Sequence, residues 1–135
     1  MILDLEEIYT VGQDSFFESV FRTNRFGVTF EDDLTTEYFY AVDLDRDLQV
    51  LDALHIYNVY DVIDKDKPSK IQIAWSDDGL VASLLINNYC HAIFDFEIKA
   101  GYCRNGFPDN KGDWATIKNR TLTDELISEI FSLRK

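Results

Sequence analysis

The sequence predicts an α+β fold, a predominantly antiparallel β-sheet meander with a C-terminal amphipathic helix packed on the sheet. Short runs rich in aromatic and β-branched residues occupy most of the chain before residue 100, and an Asp-Gly pair joins two of them. The last fifteen residues instead carry apolar side chains at helical spacing. Because 135 residues with 46% hydrophobic content suffice for one core, we predict a single domain over residues 1–135 with roughly five to seven strands.

The N-terminal half supplies the first strands of the predicted sheet. Strand composition is concentrated in three runs, residues 15–21, 25–31 and 37–44. The run 49–59 begins with residues that suit a helix and ends with residues such as Ile56 and Tyr57, so only its second half is assigned to a strand. Residues 64–70 are charged and contain Pro68, which indicates a loop.

Three later runs form a meander whose register follows from their turns. They span residues 70–76, 80–86 and 90–97. A two-residue type I′ turn at Asp78-Gly79 aligns Ile73 with Leu84. A three-residue loop over 87–89 then aligns Leu84 with Ala92, so that all three runs turn an apolar face to the same side.

This register decides how the adjacent Cys90 and His91 are interpreted. Neighbouring strand residues point to opposite faces, so the two side chains are not expected to form a nucleophile–base pair. Cys90 is predicted to lie in the core beside Ile86, and His91 to lie on the second, mixed face of the sheet. That face also carries Leu85 and Ile93, so we expect it to be partly covered or to be a place where something binds.

The C-terminal segment has the pattern of an amphipathic helix. Its apolar residues are Leu122, Leu126, Ile127, Ile130, Phe131 and Leu133. Thr121 or Thr123 can cap its start, and the acidic pair Asp124 and Glu125 in the first turn suits the helix dipole. A helix with one apolar face needs a surface to cover, and a face of the sheet is the expected one.

The net charge of −12 disfavours nucleic acid as a direct ligand, because phosphates would be repelled. The charge is uneven: residues 31–66 contain eleven acidic and two basic residues, a balance of −9, whereas residues 67–135 contain nine of each. A one-signed region of this kind favours a basic protein partner. An acidic surface that only aids solubility has the same pattern, so that interpretation stays open.

Further features bear on location and cofactors. The first fourteen residues lack a basic start followed by an apolar run, so we expect no signal peptide. No segment is apolar for long enough to span a bilayer, which predicts no membrane association. Two cysteines do not make a disulfide framework, so the expected location is the cytoplasm, with free thiols. No phosphate-binding or dinucleotide-binding glycine motif occurs, and we expect no cofactor.

The sequence offers candidate binding residues and no catalytic set. The candidates are acids of two carboxylate-rich stretches, both histidines, Asp95 of the third meander run, and two residues of a later loop: Glu31, Asp32, Asp33, Asp43, Asp45, His55, His91, Asp95, Arg104 and Trp114. Arg104 and Trp114 belong to residues 101–114, whose glycine, asparagine and aromatic content suits a binding loop.

Residue spacing gives no support to a metal site. The alternating acids of residues 43–47 resemble a calcium loop, but Leu48 stands where that loop requires glycine. His55 and His91 could approach each other if residues 51–59 form a neighbouring strand, yet no HExxH or CxxC spacing accompanies them. We therefore assign no metal, and a structural role for each histidine is the simpler interpretation.

Several stretches of the chain carry a family resemblance: "VGQDSFFES", "FEDD", "YFYAVD", "DALHIYNV" and the meander from "PSKIQIAW" to "YCRNGFP". They are similar to a family of uncharacterised small bacterial proteins, domain of unknown function 2251. The similarity runs from about Val11 to Pro108 and does not extend to the "DNKGDW" loop or the last helix. It implies a small single-domain bacterial protein and supplies no activity, cofactor or catalytic residue. By analogy with proteins of this kind, an immunity-type or accessory role is favoured.

Three functional hypotheses follow. The first is a small acidic non-enzymatic binding protein, immunity-type or an accessory inhibitor, that recognises a basic protein partner through its acidic region, aromatic residues and loops. The second is a metal- or small-ligand-dependent enzyme that uses His55, His91 and nearby carboxylates. The third is a homo-oligomer that buries the mixed sheet face.

Overall fold

The computed structural model describes residues 1–21, 25–47, 49–64, 66–108, 114 and 119–132. These residues form nine strands and one α-helix. The strands are β1 (Ile2–Tyr9), β2 (Ser15–Val20), β3 (Phe26–Asp32), β4 (Thr36–Asp43), β5 (Gln49–Asn58), β6 (Ser69–Trp75), β7 (Val81–Ile86), β8 (Tyr89–Asp95) and β9 (Ala100–Cys103). The helix α1 is Asp124–Ser132, and short 3-10 turns follow β4 at Leu44–Arg46 and β5 at Val59–Asp61.

The strands are arranged in two antiparallel sheets that share a core. One sheet has the order β1-β6-β7-β8-β9 and the other the order β2-β3-β4-β5. One hydrophobic cluster draws side chains from both sheets, and across it the rings of Phe39 and Phe94 stack with centroids 5.2 Å apart. The indole N–H of the buried Trp75 donates to the hydroxyl of Ser19 in the facing sheet at 2.9 Å. The predicted α+β fold, dominated by antiparallel strands, is therefore confirmed as a two-sheet sandwich.

The described part of the chain has nine strands where the sequence predicted five to seven, because β1 and β9 also pair. β1, to which the sequence analysis assigned no strand, pairs with β6 and leaves Glu6 and Glu7 exposed. β5 spans the whole of 49–58, whereas only its second half was predicted as a strand. Its first residues pair with the end of β4, from Gln49 opposite Asp43 onward, and this ladder overrides their local helix preference.

The hairpin between β6 and β7 has the predicted register and a different turn. Ile73 pairs with Leu84, as expected. The backbone N–H of Ser76 donates to the carbonyl of Val81 at 2.8 Å, so four residues connect the strands, and among them only Gly79 has a positive φ. A type I′ turn requires a positive φ at both central residues, so the predicted turn type was wrong.

The hairpin between β7 and β8 also differs in its loop. The predicted loop over 87–89 is only the two residues Asn87-Asn88, both with positive φ. The extra residue lies in the strand, because the register shifts between Leu84 and Leu85. This β-bulge restores the predicted pairing of Leu84 with Ala92.

The bulge exchanges the faces predicted for Cys90 and His91. Cys90 packs with the smaller hydrophobic cluster beneath α1, so its placement in the main core was wrong. The imidazole of His91 lies on the side that faces the second sheet, 3.0 Å from the hydroxyl of Tyr57 in β5. The two predictions failed together because one added residue reverses the alternation of a strand.

Helix α1 covers the second face of the five-stranded sheet, as predicted. The hydroxyl of Thr123 caps its start by accepting the N–H of Leu126 at 3.1 Å. Ile130 and the preceding Leu122 pack with Val81 and other residues of the sheet in the smaller cluster. The chain's own helix thus covers the mixed face, for which the sequence did not specify a covering element. Residues 133–135 lie outside the described residues.

Residues 101–114 are not the continuous loop that the sequence predicted. Their first residues belong to β9, and residues 109–113 lie outside the described part of the chain. The N–H of Cys103 donates to the carbonyl of Arg120 at 3.0 Å, and its own carbonyl accepts the N–H of Leu122 at 2.8 Å. The segment that leads into α1 therefore runs beside β9.

Within the described ranges, no helix combines the length and the apolar character that crossing a bilayer requires.

Candidate functional site

The outward side of the four-stranded sheet presents aromatic and acidic side chains in cross-strand rows. One row is Phe16, Glu31, Tyr38 and His55, and the next is Glu18, Thr29, Tyr40 and Ala53. The alternating residues of the same strands, such as Phe30, Phe39 and Leu54, fill the main core. We define the outer aromatic face as Phe16, Glu18, Glu31, Tyr38, Tyr40, Val50 and His55.

The rings of the outer aromatic face contact one another. Tyr38 and Tyr40 stack with centroids 5.9 Å apart, and His55 meets Tyr38 edge-on at 5.4 Å. Phe107, which follows β9, lies edge-on to His55 at 5.8 Å and extends the face. Phe16 and Phe107 remain 59% and 56% exposed, so this ordered aromatic surface is open to a partner.

His55 is held in place by two side-chain amides. Its Nε2 lies 3.0 Å from Oδ1 of Asn58, and its Nδ1 lies 2.7 Å from Nδ2 of Asn105. An amide oxygen accepts and an amide nitrogen donates, so in this pattern Nε2 donates to Asn58 and Nδ1 accepts from Asn105. His55 therefore serves as a fixed aromatic ring in this surface.

Acidic groups lie inside the same surface. Phe16, Glu18, Glu31, Tyr40 and Val50 are among the residues that line a shallow depression of about 220 Å³. Partial burial, followed by the negative charge of Glu31, raises the pKa of Tyr40, to which Glu31 is also hydrogen-bonded. The depression therefore combines apolar walls with two carboxylates.

A second concave region lies between the sheets, near the end of β5. Tyr57, Tyr89, His91, Arg104 and Asn105 contribute to a cavity of about 590 Å³. An adjoining cavity of about 480 Å³ also includes Tyr57 in its lining. We call these two cavities the inter-sheet groove.

The hydrogen-bonded Tyr57 and His91 are both neutral near pH 7. Burial, followed by the positive charge of Arg104, lowers the pKa of His91 to about 4. Burial, followed by the charge of Glu37, raises the pKa of Tyr57 to about 12. Burial also raises the pKa of the Cys90 thiol to about 11. These groups suit packing and hydrogen bonding and are poorly matched to proton transfer or nucleophilic attack at neutral pH.

Arg104 joins β9 to the start of α1. Its guanidinium lies 4.3 Å from the centre of the Tyr89 ring, and its Nε donates to the carbonyl of Cys90 at 2.9 Å. Its Nη2 donates to the carboxylate of Asp124 at 3.0 Å. The candidate residue Arg104 thus lines the groove with a side chain already engaged in holding the helix.

The candidate acids after Glu31 stabilise a turn. Asp32 is buried and accepts the backbone N–H groups of Gly12 at 2.8 Å and Leu34 at 3.0 Å. Asp33 is exposed and accepts the N–H of Thr36 at 2.7 Å, which is the main reason that its pKa is lowered. Asp33 therefore acts within the connection between β3 and β4, and Asp32 also binds this connection to Gly12, which lies between β1 and β2.

The candidate acids Asp43 and Asp45 anchor arginines. Asp43 is buried and lies 3.6 Å from the guanidinium of Arg25 and 3.7 Å from that of Arg46. It also accepts the N–H of Asp45 at 3.0 Å, and the exposed carboxylate of Asp45 lies 3.7 Å from Arg25. This arrangement fixes the 3-10 turn after β4.

The two remaining candidates are mostly buried. Asp95 accepts the N–H groups of Glu97 at 3.0 Å and Ile98 at 3.3 Å, so it stabilises the turn between β8 and β9. Trp114 packs edge-on against Phe96, with ring centroids 5.4 Å apart, at the margin of the main core.

The structure gives the two histidines separate environments. His55 belongs to the outer aromatic face and His91 to the inter-sheet groove, and their hydrogen-bond partners differ. In the part of the chain that the structure describes, no group of three or more His, Cys, Asp or Glu side chains is placed to hold a metal ion.

Sequence reasoning missed the buried Glu37. It accepts the hydroxyl of Tyr9, whose oxygen lies 3.1 Å and 3.3 Å from its two carboxylate oxygens. Burial, followed by a hydrogen bond to Asp32 and the charge of that group, raises the pKa of Glu37 to about 9. The signal was present in the strand: Glu37 shares its alternation with Phe39 and Ala41, both of which are core residues.

Comparison with known proteins places the chain among bacterial relatives. It is 46% identical over 84 residues to an uncharacterised protein of Haemophilus influenzae, a match that covers 62% of this chain and 52% of the relative. The chain thus spans about half the length of the curated relative that it matches. No solved structure matches the chain.

The family comparison reaches further along the chain than the resemblance seen in the sequence. The matching model is described as an uncharacterised protein conserved in bacteria, DUF2251, and it covers residues 9–131. The match therefore includes most of α1, where the sequence resemblance was not extended. The chain belongs to the DUF2251 family of uncharacterised bacterial proteins.

Proposed function

We propose that this protein is a small acidic, non-enzymatic binding protein of the cytoplasm, immunity-type or an accessory inhibitor, that recognises a basic protein partner. The observation that carries the proposal is the outer aromatic face. Among the described residues, α1 covers the outward side of the five-stranded sheet, and no helix covers that of the four-stranded sheet. An exposed apolar surface rimmed by polar groups is typical of a protein–protein interaction site.

The residue types of the outer aromatic face suit protein recognition. Tyrosine and phenylalanine are enriched at interfaces because they bury a large area and lose little conformational freedom. Tyr38, Tyr40 and His55 are already ordered by mutual ring contacts, which lowers the entropy lost on binding. Phe16 is the most exposed ring of the face and is the natural anchor for a partner's pocket.

The charge pattern favours a basic partner over a second copy of this chain. Glu18 and Glu31 lie on the face, within a chain of net charge −12. Opposite charge accelerates encounter and disfavours wrong partners, whereas two acidic faces would repel each other. The free thiols of Cys90 and Cys103 support a reducing compartment such as the cytoplasm.

The test is affinity capture from a lysate of a bacterium that encodes this chain, with quantitative mass spectrometry. The bait is compared with the double variant Phe16→Ala/Tyr38→Ala on the face. We expect a basic protein whose recovery falls about tenfold or more in this variant, since interface aromatics dominate binding energy. Its affinity should also weaken as salt is raised, because the long-range charge attraction is screened.

A matched control variant, Tyr60→Ala/Ile63→Ala, removes two exposed apolar side chains that lie outside the face. It should recover the same partner as the unmodified protein. The proposal would be contradicted if both variants lost the partner equally, or if the recovery of the partner were unchanged in the face variant. Light scattering measures self-association. If the protein self-associates and Phe16→Ala/Tyr38→Ala abolishes this, the partner of the face is a second copy of the chain and not a basic protein.

A further inference from the structure

The end of the sandwich opposite the inter-sheet groove contains a cavity of about 430 Å³. It lies where β3 and β5 begin and β4 and β8 end. A volume of this size is in the range of small-molecule sites in proteins, roughly 300–1,000 Å³. Its lining differs in charge from the rest of this acidic chain.

Three basic residues line the cavity: Arg25, Arg46 and Lys99. They outnumber the one acid of the lining, Asp43, in a chain that has 13 basic against 25 acidic residues. The exposed carboxylate of Asp45 lies beside them, 3.7 Å from Arg25. The side chains of Arg25 and Arg46 are 51% and 63% exposed, and they remain accessible although they pair with the acids beneath them. An anion would be attracted to this opening, whereas the rest of the acidic surface would repel it.

A buried carboxylate positions the two arginines. Asp43 lies below them at 3.6 and 3.7 Å, distances longer than a close charged hydrogen bond, and its side chain is 3% exposed. Asp43 therefore orients both guanidinium groups, and Arg25 also lies 3.7 Å from the carboxylate of Asp45. A ligand would be bound mainly by the exposed Arg46, whose guanidinium offers five N–H donors, and by Lys99.

The wall beside the cations is aromatic. Phe26 stacks on Phe96 with ring centroids 4.8 Å apart, and Trp114 meets Phe96 edge-on at 5.4 Å. Phe26, Phe96 and Trp114 all line the cavity. An aromatic wall next to guanidinium groups suits a ligand that has a planar ring on one side and a negative charge on the other.

We propose that this cavity binds a small organic anion, an aromatic ring that carries a carboxylate or phosphate group. Arg46 and Lys99 bind the anionic group beside Arg25, and the ring packs against the aromatic wall of Phe26, Phe96 and Trp114. The site is independent of the proposed partner recognition, because its charged residues lie outside the outer aromatic face, although Val50 borders both.

Calorimetric titration of the whole chain with phenyl phosphate and with benzoate tests the proposal and distinguishes the two anionic groups. Saturable binding of at least one is expected, accompanied by a change in tryptophan fluorescence that the Trp114→Phe variant lacks. Inorganic phosphate and benzylamine should each bind about tenfold more weakly or worse, because one lacks the ring and the other the negative charge.

Two variants locate the site. Lys99→Gln, which leaves both arginine pairs with Asp43 in place, and Arg46→Gln should each weaken binding by about tenfold. The control Lys67→Gln/Lys70→Gln removes two positive charges elsewhere and should leave affinity unchanged. Absence of saturable binding of both anions up to about 10 mM, or equal affinity in the cavity variants and the control, would overturn the proposal.

Discussion

Glu37 is buried at a position where an ionised carboxylate would be costly. It lies opposite Asp32 in the ladder between β3 and β4 and accepts the hydroxyl of Tyr9. Because burial and the neighbouring Asp32 raise its pKa to about 9, Glu37 is protonated near neutrality and can donate to Asp32. A proton on Glu37 avoids the repulsion that two ionised carboxylates would have at this spacing.

The variant Glu37→Gln should make stability less dependent on pH. In the unfolded chain Glu37 titrates near 4.5, and in the folded chain near 9. Between these values the folded state binds the additional proton, so the free energy of unfolding falls as pH rises, by up to about 1.4 kcal/mol per unit. Glutamine can donate to Asp32 and accept from Tyr9 without titrating. Urea unfolding between about pH 7 and about pH 8.5 should show a falling curve for the wild type and a flatter one for the variant.

The titration of His91 limits the pH range in which the contribution of Glu37 can be measured. Its pKa is lowered from 6.5 in the unfolded chain to about 4, so its contribution to stability is lost as pH falls through that range. The contributions of His91 and Glu37 therefore oppose each other between pH 4.5 and 6.5, and of these two groups only Glu37 acts between pH 6.5 and about 9. Parallel curves for wild type and Glu37→Gln at neutral and alkaline pH would show that Glu37 is ionised in the fold.

At the residue scale, sequence reasoning succeeds where alternation is unbroken. The core positions Ile73, Trp75 and Leu84 follow from alternation alone. Alternation does not predict the side of the sheet on which His91 lies, because that side depends on a β-bulge that no residue type indicates. The pairing of Asp43 with Arg25 is also not predictable from the sequence, since it joins the end of β4 to the residue before β3.

A buried ion pair joins β5 to the segment that runs beside β9. Nη2 of Arg120 donates to both carboxylate oxygens of Asp52 at 2.9 Å, and both side chains are buried. Gly101 of β9 lies directly against this pair. A Cβ at position 101 would lie 2.6 Å from Oδ2 of Asp52 and 2.7 Å from the ring of Phe94.

Gly101→Ala should therefore destabilise the protein, by about 1–3 kcal/mol, the usual cost of overpacking a core. Neither neighbour can move freely, because Asp52 is held by Arg120 and Phe94 is stacked on Phe39. Chemical denaturation measures the change in the free energy of unfolding. The matched control is Gly27→Ala, whose nearest contact is the end of the Val20 side chain at 3.0 Å, and it should cost less. An equal or greater loss in the control would show that β9 has room to shift.

At the scale of elements, the meander and the helix were predictable because a buried face restricts them. One-sided burial specified the register of β6 with β7 and of β7 with β8 as far as Leu84, and the spacing of apolar residues specified α1. The pairing beyond Leu84 was not predictable, since a bulge with a two-residue loop and a three-residue loop without one both align Leu84 with Ala92. β1 and the first half of β5 lack clear alternation, and only pairing with a neighbour makes them strands.

At the scale of the molecule, composition and patterning predicted the α+β class but not the division into two sheets. Each run indicated a strand, yet nothing local says which strands pair, because sheet membership depends on contacts between distant residues. The outer aromatic face follows from that division: Tyr38 and His55 are far apart in sequence and adjacent only once β4 and β5 pair. Functional surfaces of this kind are therefore visible only after the topology is known.

Because one hydrophobic cluster joins both sheets, the protein should unfold in a single cooperative transition. Phe94 lies at its centre, stacked on Phe39 of the facing sheet and in edge contact with Trp114. Phe94→Ala should lower the free energy of unfolding by about 3–5 kcal/mol, as a large cavity does, and should weaken both sheets together. In urea, tryptophan fluorescence and far-ultraviolet circular dichroism should give the same midpoint for the wild type and the same lowered midpoint for the variant. Ile8→Ala, an exposed change on the edge strand β1, should shift neither midpoint appreciably. Separate midpoints for the two probes would mean that the sheets unfold as independent units.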